Sequence, residues 1–163
     1  MKKRIYYSLL MMVSFALLSL SCSSDDDDSS IDNSQQIAQV QSIAESGTWR
    51  ITNFNDSGQD YTSDFAGYNF TFASDGTLTA SNGSSTLNGT WSITSDSSSS
   101  SDDDSNDDDD DIEFNIFFPV SDSNDFEELN DDWDIVSTSA TRIELIDEGD
   151  SNAYTDRLTF EKN

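Results

Sequence analysis

From residue 48 to the C-terminus the chain alternates apolar and polar side chains with a period of two, in short runs bounded by turn residues. That is the pattern of β-strands with one buried face. The run TWRITNF turns Trp49 and Ile51 to one side, and GYNFTF turns Tyr68, Phe70 and Phe72 the same way. Ser74-Asp75-Gly76 then marks a tight turn, because Asp and Gly tolerate the backbone angles it requires. Leu78 and Ala80 face inward on the third run; after a turn at Asn82-Gly83-Ser84-Ser85, Leu87, Gly89, Trp91 and Ile93 do so on the fourth. Beyond a polar stretch the alternation resumes with IEFNIFF, where Ile112, Phe114, Ile116 and Phe118 share a face. Pro119 ends that strand because it has no N–H for a ladder. One helical turn at Phe126-Glu127-Glu128-Leu129 precedes WDIVSTS, which carries Trp133 and Ile135. TRIELID, with Ile143 and Leu145 inward, and YTDRLTF, with Leu158 and Phe160 inward, bring the count to eight strands. Eight short strands with one apolar face must close to bury it and to remove their edges. The predicted fold is therefore all-β, an eight-stranded antiparallel up-and-down barrel. A two-sheet sandwich is the other closure that period-two strands permit.

Ahead of the strands the period changes. Residues 33–46, NSQQIAQVQSIAES, place Ile37, Val40, Ile43 and Ala44 at helical spacing, with Asp32, Asn33 or Ser34 to cap and Gly47 to stop. A short N-terminal helix is expected there. Further upstream, Lys2-Lys3-Arg4 precedes an apolar run from Ile5 to Leu20 and then small residues, the sequence form of an export signal. At 16 residues the run is short for a membrane span, which weighs against an uncleaved anchor.

Two resemblances sharpen this picture. Leu18-Ser19-Leu20-Ser21-Cys22 resembles the bacterial lipobox, in which the Cys thiol is acylated and the chain is cleaved on its N-terminal side. That likeness implies a lipid anchor at Cys22, held firmly because each buried methylene contributes about 0.8 kcal/mol and several acyl chains share one residue. The acidic stretch after it, Ser23-Ser24-Asp25-Asp26-Asp27-Asp28, is a self-repelling tether that also resembles the export signal of surface lipoproteins of the Bacteroidota type. It implies attachment to the cell outer membrane with the chain exposed at the surface, a periplasmic face being the alternative. In the strand region, Gly47-Thr48-Trp49 looks like the Gly-x-Trp signature of lipocalins. Phe72-Ala73-Ser74-Asp75-Gly76-Thr77, Gly89-Thr90-Trp91 and Leu158-Thr159-Phe160-Glu161-Lys162 are similar to the lipocalin-like domain of small bacterial lipoproteins. The expected organisation is residues 1–21 as signal peptide, 22–32 as lipidated Cys and acidic tether, and 33–163 as a lipocalin-like barrel domain. The insertion 95–111 interrupts the likeness; made of Ser, Asp and Asn, it can bury nothing and is expected to be disordered.

Charge narrows the partners. Three of the seven basic residues precede Cys22 and all 33 acidic ones follow it, so a processed chain would carry a formal net charge of −29. Such a field repels phosphate backbones, and no nucleic-acid partner is expected. The chain has no His and a single Cys, which removes the commonest general base, zinc clusters and redox pairs. Adjacent acids such as Glu127 and Glu128 are expected to be a solvent-facing turn, and the chain is not expected to be an enzyme.

Asp102, Asp104, Asn106 and Glu113 occupy the first, third, fifth and twelfth places of an EF-hand-like loop. The sixth place, which needs Gly, is Asp107, so a charged loop attracting Ca2+ loosely is expected over a built site, and no cofactor otherwise. The candidate ligand site is the barrel interior, with Trp49, Phe70, Phe72, Trp91, Phe114 and Trp133 as walls for a small apolar or glycan ligand. At this strand number those side chains are also bulky enough to fill the interior themselves. The expectation is thus a monomeric, membrane-tethered binding module. Its alternative is a structural or adhesion protein of the envelope with a filled core.

Overall fold

The computed structural model describes residues 29–95, 112–148 and 155–163. The signal peptide, Cys22, Asp102, Asp104, Asn106 and all but the first residue of the 95–111 insertion lie outside the described residues.

Helix α1 (Ser29–Ala44) leads into strand β1 (Trp49–Asp56). The remaining strands are β2 (Gln59–Asp60), β3 (Asn69–Phe72), β4 (Thr77–Ser81), β5 (Thr86–Ser95), β6 (Ile112–Phe117), β7 (Asp131–Thr138), β8 (Arg142–Asp147) and β9 (Asp156–Lys162). From β3 to β9 each strand pairs antiparallel with the next, and β9 returns to β1, so the sheet closes into an eight-stranded barrel. The two-residue β2, a strand the period-two reading did not contain, is a hairpin extension of β1 outside the ring. The helix starts four residues before the expected boundary, so its first turn occupies the end of the stretch read as tether. Once a turn is nucleated, each added residue gains a hydrogen bond.

The β3–β4 turn shows how local chemistry sets the register. Gly76 takes a φ of 82°, a left-handed angle open to it for want of a Cβ, and Asp75 Oδ1 accepts the Thr77 N–H at 3.0 Å. Phe72 and Leu78 then face each other across the ladder.

Two register shifts re-aim side chains. One falls between Ile51 and Asn53 where β1 meets β9, and it turns Phe54 into the core where strict alternation from Trp49 would have pointed Asn53. The second, between Ile135 and Ser137 in β7, leaves Ile135 partly buried and Val136 exposed. Apart from Ile135, Tyr68 and Leu87, which pack partly buried against the core, every other inward apolar position of the alternation is buried.

Candidate functional site

The six aromatic side chains nominated as ligand walls all lie in the one hydrophobic core, and three of them are in ring contact with one another. Phe72 packs edge-on against Trp91 and Phe114 with ring centroids 5.2 and 5.3 Å apart, and Trp91 stacks on Phe114 at 5.7 Å. Phe70 reaches Phe160 at 5.4 Å. Trp49 and Phe70 are 0% exposed, Trp133 is 1% and Trp91, the most open of the set, is 6%. Edge-to-face pairs of this kind contribute about 0.5–1.5 kcal/mol beyond the area they bury.

Each tryptophan also spends its one polar group on a carbonyl of a connecting segment. Trp49 Nε1 donates to Ala44 O at 2.8 Å and ties down the end of α1; Trp91 Nε1 donates to Ala73 O at 2.9 Å at the β3–β4 turn; Trp133 Nε1 donates to Leu129 O at 3.2 Å. With those N–H groups engaged, the interior presents no free donor from an indole to a guest.

Both ends of the barrel are stoppered. At the end where β1 begins, α1 lies across β5 and β6 with Val40 and Ala44 buried, and Lys162 Nζ sits 5.7 Å over the Trp49 ring. Lys162 thus covers the first-strand Trp, while Arg50 and Arg142 pair with Glu161 at the surface. At the other end a plug of rings closes the mouth. Phe126 packs edge-on against Phe65, Tyr68 and Phe118 at 5.2, 4.9 and 5.0 Å, and Phe65 meets Phe54 at 5.6 Å. Leu129, the last residue of the 3₁₀ turn Glu127–Leu129, is fully buried beneath it.

Above the plug lies a cavity of about 160 Å³ with Asp56, Glu127, Glu128, Asp131 and Asp156 on its rim and no basic side chain among its lining residues. Desolvation at this end, and after it a hydrogen bond with Asp56, raises the Glu128 carboxyl above the usual carboxylate range. Burial is also the leading cause that pushes Asp131 up to about 7, helped by its hydrogen bond with Asp132 and the nearby charge of Asp147. Asp156 is tied to the rim, its Oδ1 accepting the Ser57 N–H at 2.6 Å. Among the described residues no three carboxylates are arranged to hold a metal ion. Of the EF-hand-like set only Glu113 is described; it lies on the outward face of β6 and accepts a hydrogen bond from Thr94 Oγ1 at 3.4 Å. Glu127 and Glu128 belong to the 3₁₀ turn of the stopper.

No family model and no curated protein matches this chain. A solved structure of a DUF4847 family protein from Bacteroides vulgatus aligns over 76% of this chain and 97% of its own length, with a TM-score of 0.48 and 22% identity. Agreement at that level assigns no activity.

Sequence reasoning found the aromatic ring of the core, the helix and the Phe126–Leu129 turn, but not that these last two close the ends of the barrel, nor the part that Phe54 and Phe65 take in it. Phe54 escaped because a bulge carries no composition signal, and Phe65 sits in a turn, Thr62–Phe65, between strands. Asn130 escaped as well. Its side chain accepts from Phe118 N at 2.5 Å and donates to Phe118 O at 3.0 Å, standing in for a strand partner where Pro119 breaks the ladder.

Proposed function

We propose that this chain is a lipid-anchored module of the bacterial cell envelope whose barrel is a solid scaffold, so that recognition takes place on its outer surface and not in a lumen. The observation that carries this reading is the interior. The aromatic residues that would line a cup are between 0 and 6% exposed, are packed within one hydrophobic core, and are shut in by α1 at one end and by Phe54, Phe65 and Phe126 at the other. A cavity able to hold a drug-sized ligand runs to about 300–1,000 Å³ and leaves its lining accessible. An apolar guest inside this barrel would have to displace rings already in contact.

In this reading Cys22 carries the lipid, residues after it tether the barrel to the outer membrane facing the medium, and the acidity keeps the tethered domain soluble and repels anionic surfaces. The chain is non-enzymatic and needs no cofactor; its carboxylates attract Ca2+ only as a diffuse field. The support for the anchor is the lipobox-like Leu18-Ser19-Leu20-Ser21-Cys22.

Two measurements test the reading. Cells fed an alkyne-bearing palmitate should label the wild-type chain and leave Cys22→Ser unlabelled and released from the membrane fraction; protease added to intact cells should remove the wild type if it faces outward. Separately, the full chain titrated with the apolar dye 1-N-phenylnaphthylamine should show no saturable fluorescence gain. Saturable uptake of about one dye per barrel, quenched with the buried tryptophans, would restore the open-cup alternative.

A further inference from the structure

A wide concavity lies on the outside of the barrel, over β5, β6 and β7. Alternation on these strands sends Thr90, Ser92, Asn115, Phe117 and Asp132 outward, and the ladder sets them side by side: Thr90 faces Phe117, Ser92 faces Asn115, and Asn115 faces Asp132. They floor a groove of about 620 Å³ bounded by the Asp75-Gly76 turn on one side and by Asn130 and Asp131 on the other. That volume lies in the range of sites for molecules of a few rings.

The chemistry of the groove restricts what could occupy it. Phe117 is 53% exposed, on a strand whose other phenylalanine, Phe114, is fully buried, so an open ring face stands on the groove floor. Beside it, the hydroxyls of Thr90 and Ser92 have no hydrogen-bond partner among the described residues, and Asn115 uses only its N–H, toward Thr94 Oγ1 at 2.9 Å. The chain's described cations, Arg50, Arg142, Arg157 and Lys162, all stand on β1, β8 and β9, away from this face. A phosphate, sulfate or uronate would find carboxylates and no counter-charge. Of the groove's carboxyls, Asp75 is held in its own turn by the Thr77 N–H and Asp131 keeps its proton up to about neutral pH, which leaves Asp132 as the carboxyl on the floor. A pyranose fits what remains, since its C–H face is apolar and flat while its rim of hydroxyls both donates and accepts. We infer that the outer groove centred on Phe117 binds a neutral oligosaccharide, the ring stacking on one sugar face while Thr90, Ser92, Asn115 and Asp132 take its hydroxyls. This inference rests on the reading above that recognition is external, and it names the site and the ligand class.

The test is isothermal titration of the full chain, in detergent, with neutral hexasaccharides of glucose, mannose, xylose and galactose. At least one should bind saturably with an affinity unchanged between low and roughly 0.5 M salt, because no ion pair is involved. Phe117→Ala should weaken that binding at least tenfold with no loss of melting temperature, and Ser92→Trp, which fills the groove from an exposed position, should abolish it. Val136→Ala, at another large apolar side chain exposed among the described residues, should leave it unchanged. The inference is overturned if none of the four sugars binds at millimolar concentration, if Phe117→Ala and Ser92→Trp bind as well as wild type, or if binding disappears with salt. A chain that is acylated and excludes the apolar dye but ignores every sugar would sink this site and leave the proposed function standing.

Discussion

At the scale of single residues, the three tryptophans act as pins. Each combines a large buried ring with one directed hydrogen bond, and each bond reaches out of the barrel wall to a segment that the ladder does not hold: the end of α1, a hairpin turn, and the 3₁₀ stopper. Asp131 is the residue most out of balance with its surroundings. Its folded-state pKa of about 7 lies above the unfolded reference of 3.8, so the folded chain binds a proton that the unfolded chain has already released across that window. Its contribution to stability is complete below pH 4 and is lost as pH rises through about 7, the sign expected of a raised carboxyl. The amide of Asp131→Asn carries no such charge. The melting temperature of Asp131→Asn relative to wild type should therefore grow from pH 5 to pH 8, as followed by circular dichroism. A difference that stays flat with pH would mean that the carboxyl is already well solvated.

At the scale of elements, the strands were legible because nearly every one keeps its apolar positions two apart, whereas the choice of a barrel over a two-sheet sandwich is settled only by the pairing of β9 with β1. The helix was legible from Val40 and Ala44, which do face the barrel, although its start was not. What alternation cannot encode is a break in itself. The bulge in β1 moved Phe54 inward, and the side-chain bridge from Asn130 to Phe118 replaced a ladder rung, neither of which leaves a trace in spacing. The candidate site was half legible for a related reason. The residues Trp49, Phe70, Phe72, Trp91, Phe114 and Trp133 were recognisable as inward, but whether an inward ring lines a void or meets another ring depends on the third dimension. Asn130 gives a direct check at this scale. Asn130→Ala leaves both backbone groups of Phe118 without their partner and should cost about 1–3 kcal/mol in urea unfolding. The loss should be felt at the junction of β6 and β7, where amide exchange at Phe118 would accelerate first.

At the scale of the whole molecule, charge is distributed unevenly. The mouth carries five rim carboxylates with no basic partner in its lining, while Arg50, Arg142 and Lys162 gather around Glu144, Glu161 and Ser46 near the opposite end. Exposed ion pairs of that kind contribute roughly 0–1 kcal/mol each and cannot offset the repulsion of a chain with net charge −26. Salt should therefore stabilise this protein. Raising ionic strength from about 0.01 M, where the screening length is about 30 Å, to about 0.1 M, where it is about 10 Å, should lift the melting temperature. A fall would show that the surface pairs outweigh the repulsion.

The last strand of the barrel lies against the first, with Trp49 opposite Lys162 and the Asn163 N–H donating to Thr48 O at 3.0 Å. In terms of connectivity, the fold is a closed loop of strand pairings that happens to be cut between β9 and β1. Where the chain is cut matters little to which strands meet. A circular permutant that joins Asn163 to Gly47 through a short glycine linker, and begins anew between β5 and β6, keeps every barrel pairing while surrendering only the helix as a covalent neighbour of β1. Domains whose ends lie close together at the surface tolerate such rewiring. The permutant, with α1 left on the new end or supplied as a separate peptide, should retain the buried-tryptophan emission of the native barrel. An unfolded permutant would show that α1 must be attached to β1 for the barrel to close.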